Sequence, residues 1–171
     1  RLLSEQLPEV LITASCSKNF ALYRERVGSF SVVAATPKKA DNALTQALDI
    51  IRGYYFVPAA HGALVVKTIL QDQGLRACWL QELNAVRERI AEVRKLLVQG
   101  FQEAGYADQF THIAQQQGMF SFLGLTSNQV SQLRKDHSIY MADSSRINLS
   151  GINPGNINYL VKSVNLVLAS A

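Results

Sequence analysis

The sequence predicts a mixed α/β fold. Three observations predict it. Two short, partly β-branched apolar runs lie near the start, each bounded by turn-forming or small polar residues. Apolar residues then recur every three or four positions over a stretch of about thirty residues, which is the period of an α-helix. After Gly118 the pattern changes to alternation and then returns to helical spacing.

Taken in order, residues 9–14 (EVLITA) form the first strand candidate, with Pro8 before them and Ser15-Cys16-Ser17 after them. Residues 28–35 (GSFSVVAA) form the second. Thr36-Pro37 supplies an N-cap and a proline at the first helical position, so a helix is expected from there to about Tyr54. Ala40, Leu44, Ala47, Leu48 and Ile51 would share one of its faces. Pro58 opens another helix through Leu64, Val65, Ile69 and Leu70.

The longest pattern runs through Leu75, Trp79, Leu83, Val86, Ile90, Val93, Leu97 and Phe101, and Gly105 ends it. Its first half is apolar and its second half is rich in charge, as expected of a helix that leads from one domain into another. Residues 119–123 (MFSFL) alternate like a strand, and Thr126 caps a helix through Val130 and Leu133. Residues 139–141 and 146–149 read as two short strands forming a hairpin about Asp143-Ser144. Asn153-Pro154 begins a last amphipathic helix through Ile157, Leu160, Val161, Val164 and Leu168.

Composition excludes several classes. The 171 residues are 48% hydrophobic and 18% charged, a globular rather than a disordered balance. No apolar run reaches the length of a membrane span, and the first residues carry no signal-peptide pattern, so a cytoplasmic protein without a membrane partner is expected. The net charge is +4, but the basic residues are dispersed among acids, which argues against a nucleic-acid partner. Cys16 and Cys78 lie outside any CxxC spacing and read as free thiols of a reducing compartment. His61, His112 and His137 have no metal-ligand spacing, so no metal is expected. The chain begins without Met and in mid-pattern, which suggests a piece of a longer protein.

Three units carry candidate chemistry. Lys18 follows an apolar strand within Ser15-Cys16-Ser17-Lys18-Asn19-Phe20. A lysine amine forms Schiff bases with aldehydes once desolvation or a nearby cation, here Arg24 or Arg26, favours its neutral form. An ordinary loop lysine would have the same local sequence. Arg26 lies eight residues further on; its planar fork suits a phosphate, and Ser15 and Ser17 could add hydroxyl donors. The alternative is a surface Arg-Glu-Arg ion-pair cluster. A phosphate site beside an aldehyde-reactive lysine describes a site for pyridoxal phosphate (PLP). Arg146 opens an otherwise apolar run, and either a substrate carboxylate or Asp143 could be its partner.

Four segments, SCSKNFALYRERVGSF, IIRGYYFVPAAHGA, QGMFSFLGLT and SSRINLSGINPGNI, occur in an order and at separations that resemble the aspartate and aromatic amino acid aminotransferases, which are fold type I PLP enzymes. The resemblance covers essentially the whole chain. It implies that Lys18 holds the cofactor covalently and then acts as general acid-base, and that Ser15 and Arg26, with Ser17 as a further candidate, bind its phosphate. Arg146 would bind the substrate α-carboxylate and Phe120 would wall the pocket. Arg52 would reach into the neighbouring subunit of a homodimer to bind a side-chain carboxylate.

The implied reaction moves an amino group between aspartate, glutamate or an aromatic amino acid and a 2-oxo acid such as 2-oxoglutarate. The implied architecture is the C-terminal part of the large PLP-binding domain, residues 1–85, joined by the long helix to a small α/β domain, residues 86–171. One departure stands out. Tyr54-Tyr55-Phe56-Val57 replaces a small polar run, and Phe56 and Val57 offer no side-chain hydrogen bonds, which favours broader or aromatic specificity. The family's carboxylate for the cofactor ring nitrogen lies upstream, and neither Glu5 nor Glu9 matches it, so weak or no activity is expected of this chain alone. Two other functions compete: another fold type I PLP enzyme such as a decarboxylase or lyase, against which Arg52 and Arg146 speak, and a non-catalytic fragment or binding domain.

Overall fold

A computed structural model describes residues 2–170 of the chain, which divides into two compact units, Arg1–Leu83 and Asn84–Ala171. The first unit contains α1 (Leu2–Gln6), β1 (Val10–Ser15), β2 (Gly28–Val33), α2 (Pro37–Tyr55), α3 (His61–Gln71) and the beginning of α4 (Gln73–Glu103). β1 and β2 pair antiparallel, with Val10 opposite Val33 and Ser15 opposite Gly28. Glycine is required at position 28, because a Cβ there would run into the Ala14 carbonyl. The Thr36-Pro37 signal works as expected: the Thr36 side chain accepts from the Lys39 N–H at 3.3 Å, and Pro37 opens α2. α3 begins three residues later than Pro58 suggests, after a segment in which Phe56 takes left-handed backbone (φ +63°).

The second unit holds the rest of α4, then α5 (Ala107–Phe110), α6 (His112–Gln115), β3 (Phe120–Phe122), α7 (Ser127–His137), β4 (Arg146–Asn148), a 3-10 turn (Leu149–Gly151) and α8 (Ile157–Ala169). Its core is built from Leu97 and Phe101 of α4, Phe110, Ile113, Leu123, Val130, Leu133, Leu149 and Val164, all with less than 2% of their surface exposed. α7 starts on a complete capping box, Thr126 and Gln129 each bonding the other's backbone N–H. It ends on Ser138 in left-handed backbone, and Gly105 (φ +88°) follows the end of α4.

The charged half of α4 carries its core face: Ile90, Val93, Leu97, Val98 and Phe101 are buried there, whereas only Trp79 and Leu83 are even half-buried before Arg89. Apart from buried Arg94, the charges of these turns stand on exposed faces, so the mean polarity of a half says nothing about which stripe meets a core. The hairpin about Asp143-Ser144 exists only as a turn. Residues 139–141 form no strand, and β4 pairs antiparallel with β3 instead, Phe120 opposite Asn148 and Phe122 opposite Arg146. Among the described residues no helix is long and apolar enough to cross a membrane.

Candidate functional site

The first cluster lies in the first unit, on the turn that joins β1 to β2. The turn folds back on itself: the Cys16 carbonyl accepts from Phe20 N–H (3.2 Å) and Leu22 N–H (3.3 Å), and Cys16 N–H donates to Val27 O (3.0 Å). This brings four expected residues together. The Ser15 and Ser17 hydroxyls lie 2.9 Å apart, and Ser17 N–H donates to Ser15 Oγ at 3.1 Å. Lys18 Nζ donates to the Tyr23 hydroxyl at 2.7 Å and sits 3.9 Å from the centre of that ring. Arg26 Nη1 donates to the Tyr23 carbonyl at 2.9 Å. Tyr23 therefore links the lysine to the arginine. Arg26 itself has left-handed backbone (φ +50°), unusual for a non-glycine residue and a feature that clusters at functional sites.

Two later elements hold this turn. α3 begins against it: a Cβ on Gly62 would come within 2.7 Å of Glu25 Cβ, and His61 Nδ1 lies 3.0 Å from Glu25 Oε2. The Arg24-Glu25-Arg26 run is thus not a self-contained ion-pair cluster, since Glu25 is taken by His61. From α4, Trp79 donates its indole N–H to the Asn19 carbonyl at 2.7 Å and stacks on Phe20 with centroids 4.4 Å apart. Sequence spacing had placed Trp79 on an apolar helix face, and Tyr23 carried no sequence signal beyond its place between Lys18 and Arg26.

The second cluster lies in the second unit. The β3–β4 pairing puts Ser121 and Ile147 into the core and leaves Phe120, Arg146 and Asn148 to line a cleft of about 470 Å³ with Ile139, Tyr140, Met141 and Tyr159. The Arg146 guanidinium lies 4.9 Å from the centre of the Phe120 ring. Buried Ser145 aims this strand: its backbone is left-handed (φ +61°), its carbonyl accepts from Leu123 N–H (3.1 Å) and its hydroxyl from Gly124 N–H (3.0 Å). Arg146 is exposed to the cleft rather than buried, and Asp143 is not its partner: Asp143 pairs with Arg134 of α7 at 2.7 Å. Behind β3, buried Arg94 donates to the Gly118 carbonyl at 2.7 Å, and burial lowers its pKa from the ordinary arginine value. Arg52 stands in the last turn of α2, 5.1 Å from the Phe56 ring.

The family model "Aminotransferase class I and II" matches residues 1–164. The chain belongs to this family. It is 48% identical over 160 residues to an aspartate aminotransferase of Haemophilus influenzae, covering 94% of this chain and 40% of that protein. It is 41% identical to an aromatic-amino-acid aminotransferase of Pseudomonas aeruginosa, covering 99% of this chain and 42% of that one. Its fold superimposes, with a TM-score of 0.88 and 38% identity, on an aromatic-amino-acid aminotransferase of Burkholderia pseudomallei whose structure is covalently bound to pyridoxal phosphate; the match covers 98% of this chain and 42% of that one. The class I and II aminotransferase chain described here thus spans about two fifths of the length of these relatives.

Proposed function

We propose that this chain carries the cofactor-lysine and carboxylate-binding segments of a PLP-dependent aminotransferase. The enzyme would move an amino group between aspartate, glutamate or an aromatic amino acid and a 2-oxo acid such as 2-oxoglutarate. The observation that carries the proposal is the β1–β2 turn, where Tyr23 ties Lys18 to Arg26 and the Ser15 and Ser17 hydroxyls meet on the same turn. One amine, two hydroxyls and one guanidinium fit the aldehyde and phosphate end of pyridoxal phosphate. When bound, that cofactor supplies an aldehyde and an electron-accepting ring.

The residues of this chain then have separate tasks. Lys18 Nζ attaches the cofactor and afterwards accepts and returns a proton at the substrate α-carbon. Arg26, Ser15 and Ser17 hold the phosphate. Arg146 presents its fork to the α-carboxylate, and Phe120, in contact with that guanidinium, walls the pocket. The aromatic and aliphatic lining of the cleft (Phe120, Ile139, Tyr140, Met141, Tyr159) supports broad or aromatic side-chain specificity. Residues 1–85 would belong to the large cofactor domain and residues 86–171 to the small one; the division at Leu83 and Asn84 supports that assignment. The whole protein would be a cytoplasmic homodimer in which Arg52 serves the partner's site. Tyr54, Tyr55, Phe56 and Val57, each more than half exposed at the end of α2, support a partner there.

The test is reductive trapping. The purified chain is mixed with pyridoxal phosphate, reduced with borohydride and mapped by mass spectrometry across Lys18, Lys38, Lys39, Lys67, Lys95, Lys135 and Lys162. Stoichiometric labelling at Lys18 is expected. Scattered, substoichiometric labelling would contradict a formed cofactor site in this chain and favour the reading as a non-catalytic fragment, which the thin burial of the first unit supports.

A further inference from the structure

We infer that Trp79 is a positioning residue for Lys18: the indole clamps the turn at Asn19 and Phe20 and so fixes where the lysine amine stands. The inference rests on the reading of Lys18 as the cofactor lysine. Two contacts of different kinds meet the chain directly after Lys18. The Trp79 N–H donates to the Asn19 carbonyl at 2.7 Å, and the indole stacks on Phe20 at 4.4 Å with the rings only 8° from parallel. The Phe20 N–H in turn donates to the Cys16 carbonyl, which also accepts from Leu22 N–H. Lys18 therefore sits between a turn closed at Cys16 and a residue pair held by a helix sixty positions away in sequence.

The local hydrogen bonds close the turn at Cys16 and leave the segment after Lys18 to the clamp. Lys18 and Asn19 are exposed, and Ala21 holds left-handed backbone (φ +56°) that an alanine does not choose by itself. A lysine carries about 2 kcal/mol of rotamer entropy and three rotatable donors. To keep its amine on the Tyr23 hydroxyl, its backbone must be held still. A carbonyl bonded by an aromatic N–H, together with a stacked ring, does this without placing a charge near the amine. That choice matters: an ionic clamp would perturb the proton affinity of the lysine it positions.

The experiment compares Trp79→Phe, which keeps a ring for stacking and loses the N–H, with Trp79→Leu, which loses both. The first readout needs no cofactor. The seven lysines compete for a limiting, small, neutral acylating reagent, and each rate is read by mass spectrometry relative to Lys67. In the wild type Lys18, bonded to the Tyr23 hydroxyl and lying against its ring, should acylate more slowly than Lys67. Trp79→Phe should raise its relative rate by about fivefold, the equilibrium weight of one hydrogen bond, and Trp79→Leu by about tenfold or more. The other five ratios should stay constant, which a general loosening of the fold would not allow. If Trp79→Leu unfolds, seen as lost helix signal and shifts at every lysine, Trp79→Phe decides alone. A Lys18 rate equal to that of Lys67 in the wild type, or unchanged in the variants, overturns the inference. A parallel wild-type arm with pyridoxal phosphate and borohydride reads the cofactor role separately: failure there with the expected acylation changes removes the proposed function and leaves the clamp, and the converse removes the clamp alone.

Discussion

The two units of this chain differ in what they bury. Every buried hydrophobic side chain among the described residues lies between Ile90 and Val167, whereas the described residues up to Leu83 bury only Ser17 and Gly62. β1 and β2 form a two-stranded sheet whose Leu11, Ile12 and Phe30 side chains remain exposed, and α2 buries none of its residues. A two-stranded sheet with open faces is marginal by itself. The second unit closes its own core; the first unit holds the lysine turn by local hydrogen bonds and a few side-chain clamps. The lysine turn and the buried core therefore lie in different parts of the chain.

Substitutions can break or sharpen that contrast. Phe101 is fully buried and stacked on Phe110 at 3.9 Å, so Phe101→Ala should cost about 3–5 kcal/mol in equilibrium denaturation of the second unit. Arg94→Ala should cost about 2 kcal/mol in the same assay, because it removes the charge-assisted bond to the Gly118 carbonyl. Thr126→Ala removes the reciprocal cap of α7 and should cost about 1 kcal/mol. Leu44→Ala, on the exposed α2 of the first unit, should change stability by no more than about 0.5 kcal/mol. A large loss at Leu44 would mean that the first unit has a core of its own.

What was legible in the sequence follows the same division between local and distant determinants. The Thr36-Pro37 start of α2, the Thr126 cap and the two strands around Lys18 are set by neighbouring residues and appear nearly where the sequence places them. The β4 partner was not legible, because alternation reveals which face a residue takes but not which strand lies alongside; β4 chose β3 over the nearer residues 139–141. The same limit hid Arg134 as the partner of Asp143 and His61 as the partner of Glu25. Trp79 was hidden differently. Its spacing on α4 marks a helix face, and only the fold shows that this face meets Asn19 and Phe20. Lys18, Arg26 and Arg146 were legible as candidates through the four segments that resemble the aminotransferases, since each residue also had an ordinary structural reading; the Tyr23 link between Lys18 and Arg26 was not legible.

Native-state hydrogen exchange, read by mass spectrometry on the intact chain, tests the division most directly. Backbone amides at Leu97, Phe101, Val130, Leu133 and Val164 should exchange more slowly than those of residues 11–14 and 29–32 by about two orders of magnitude or more, the spread between globally and locally opening segments. Equal protection in β1, β2 and the second-unit core would contradict it and show that both units share one cooperative fold.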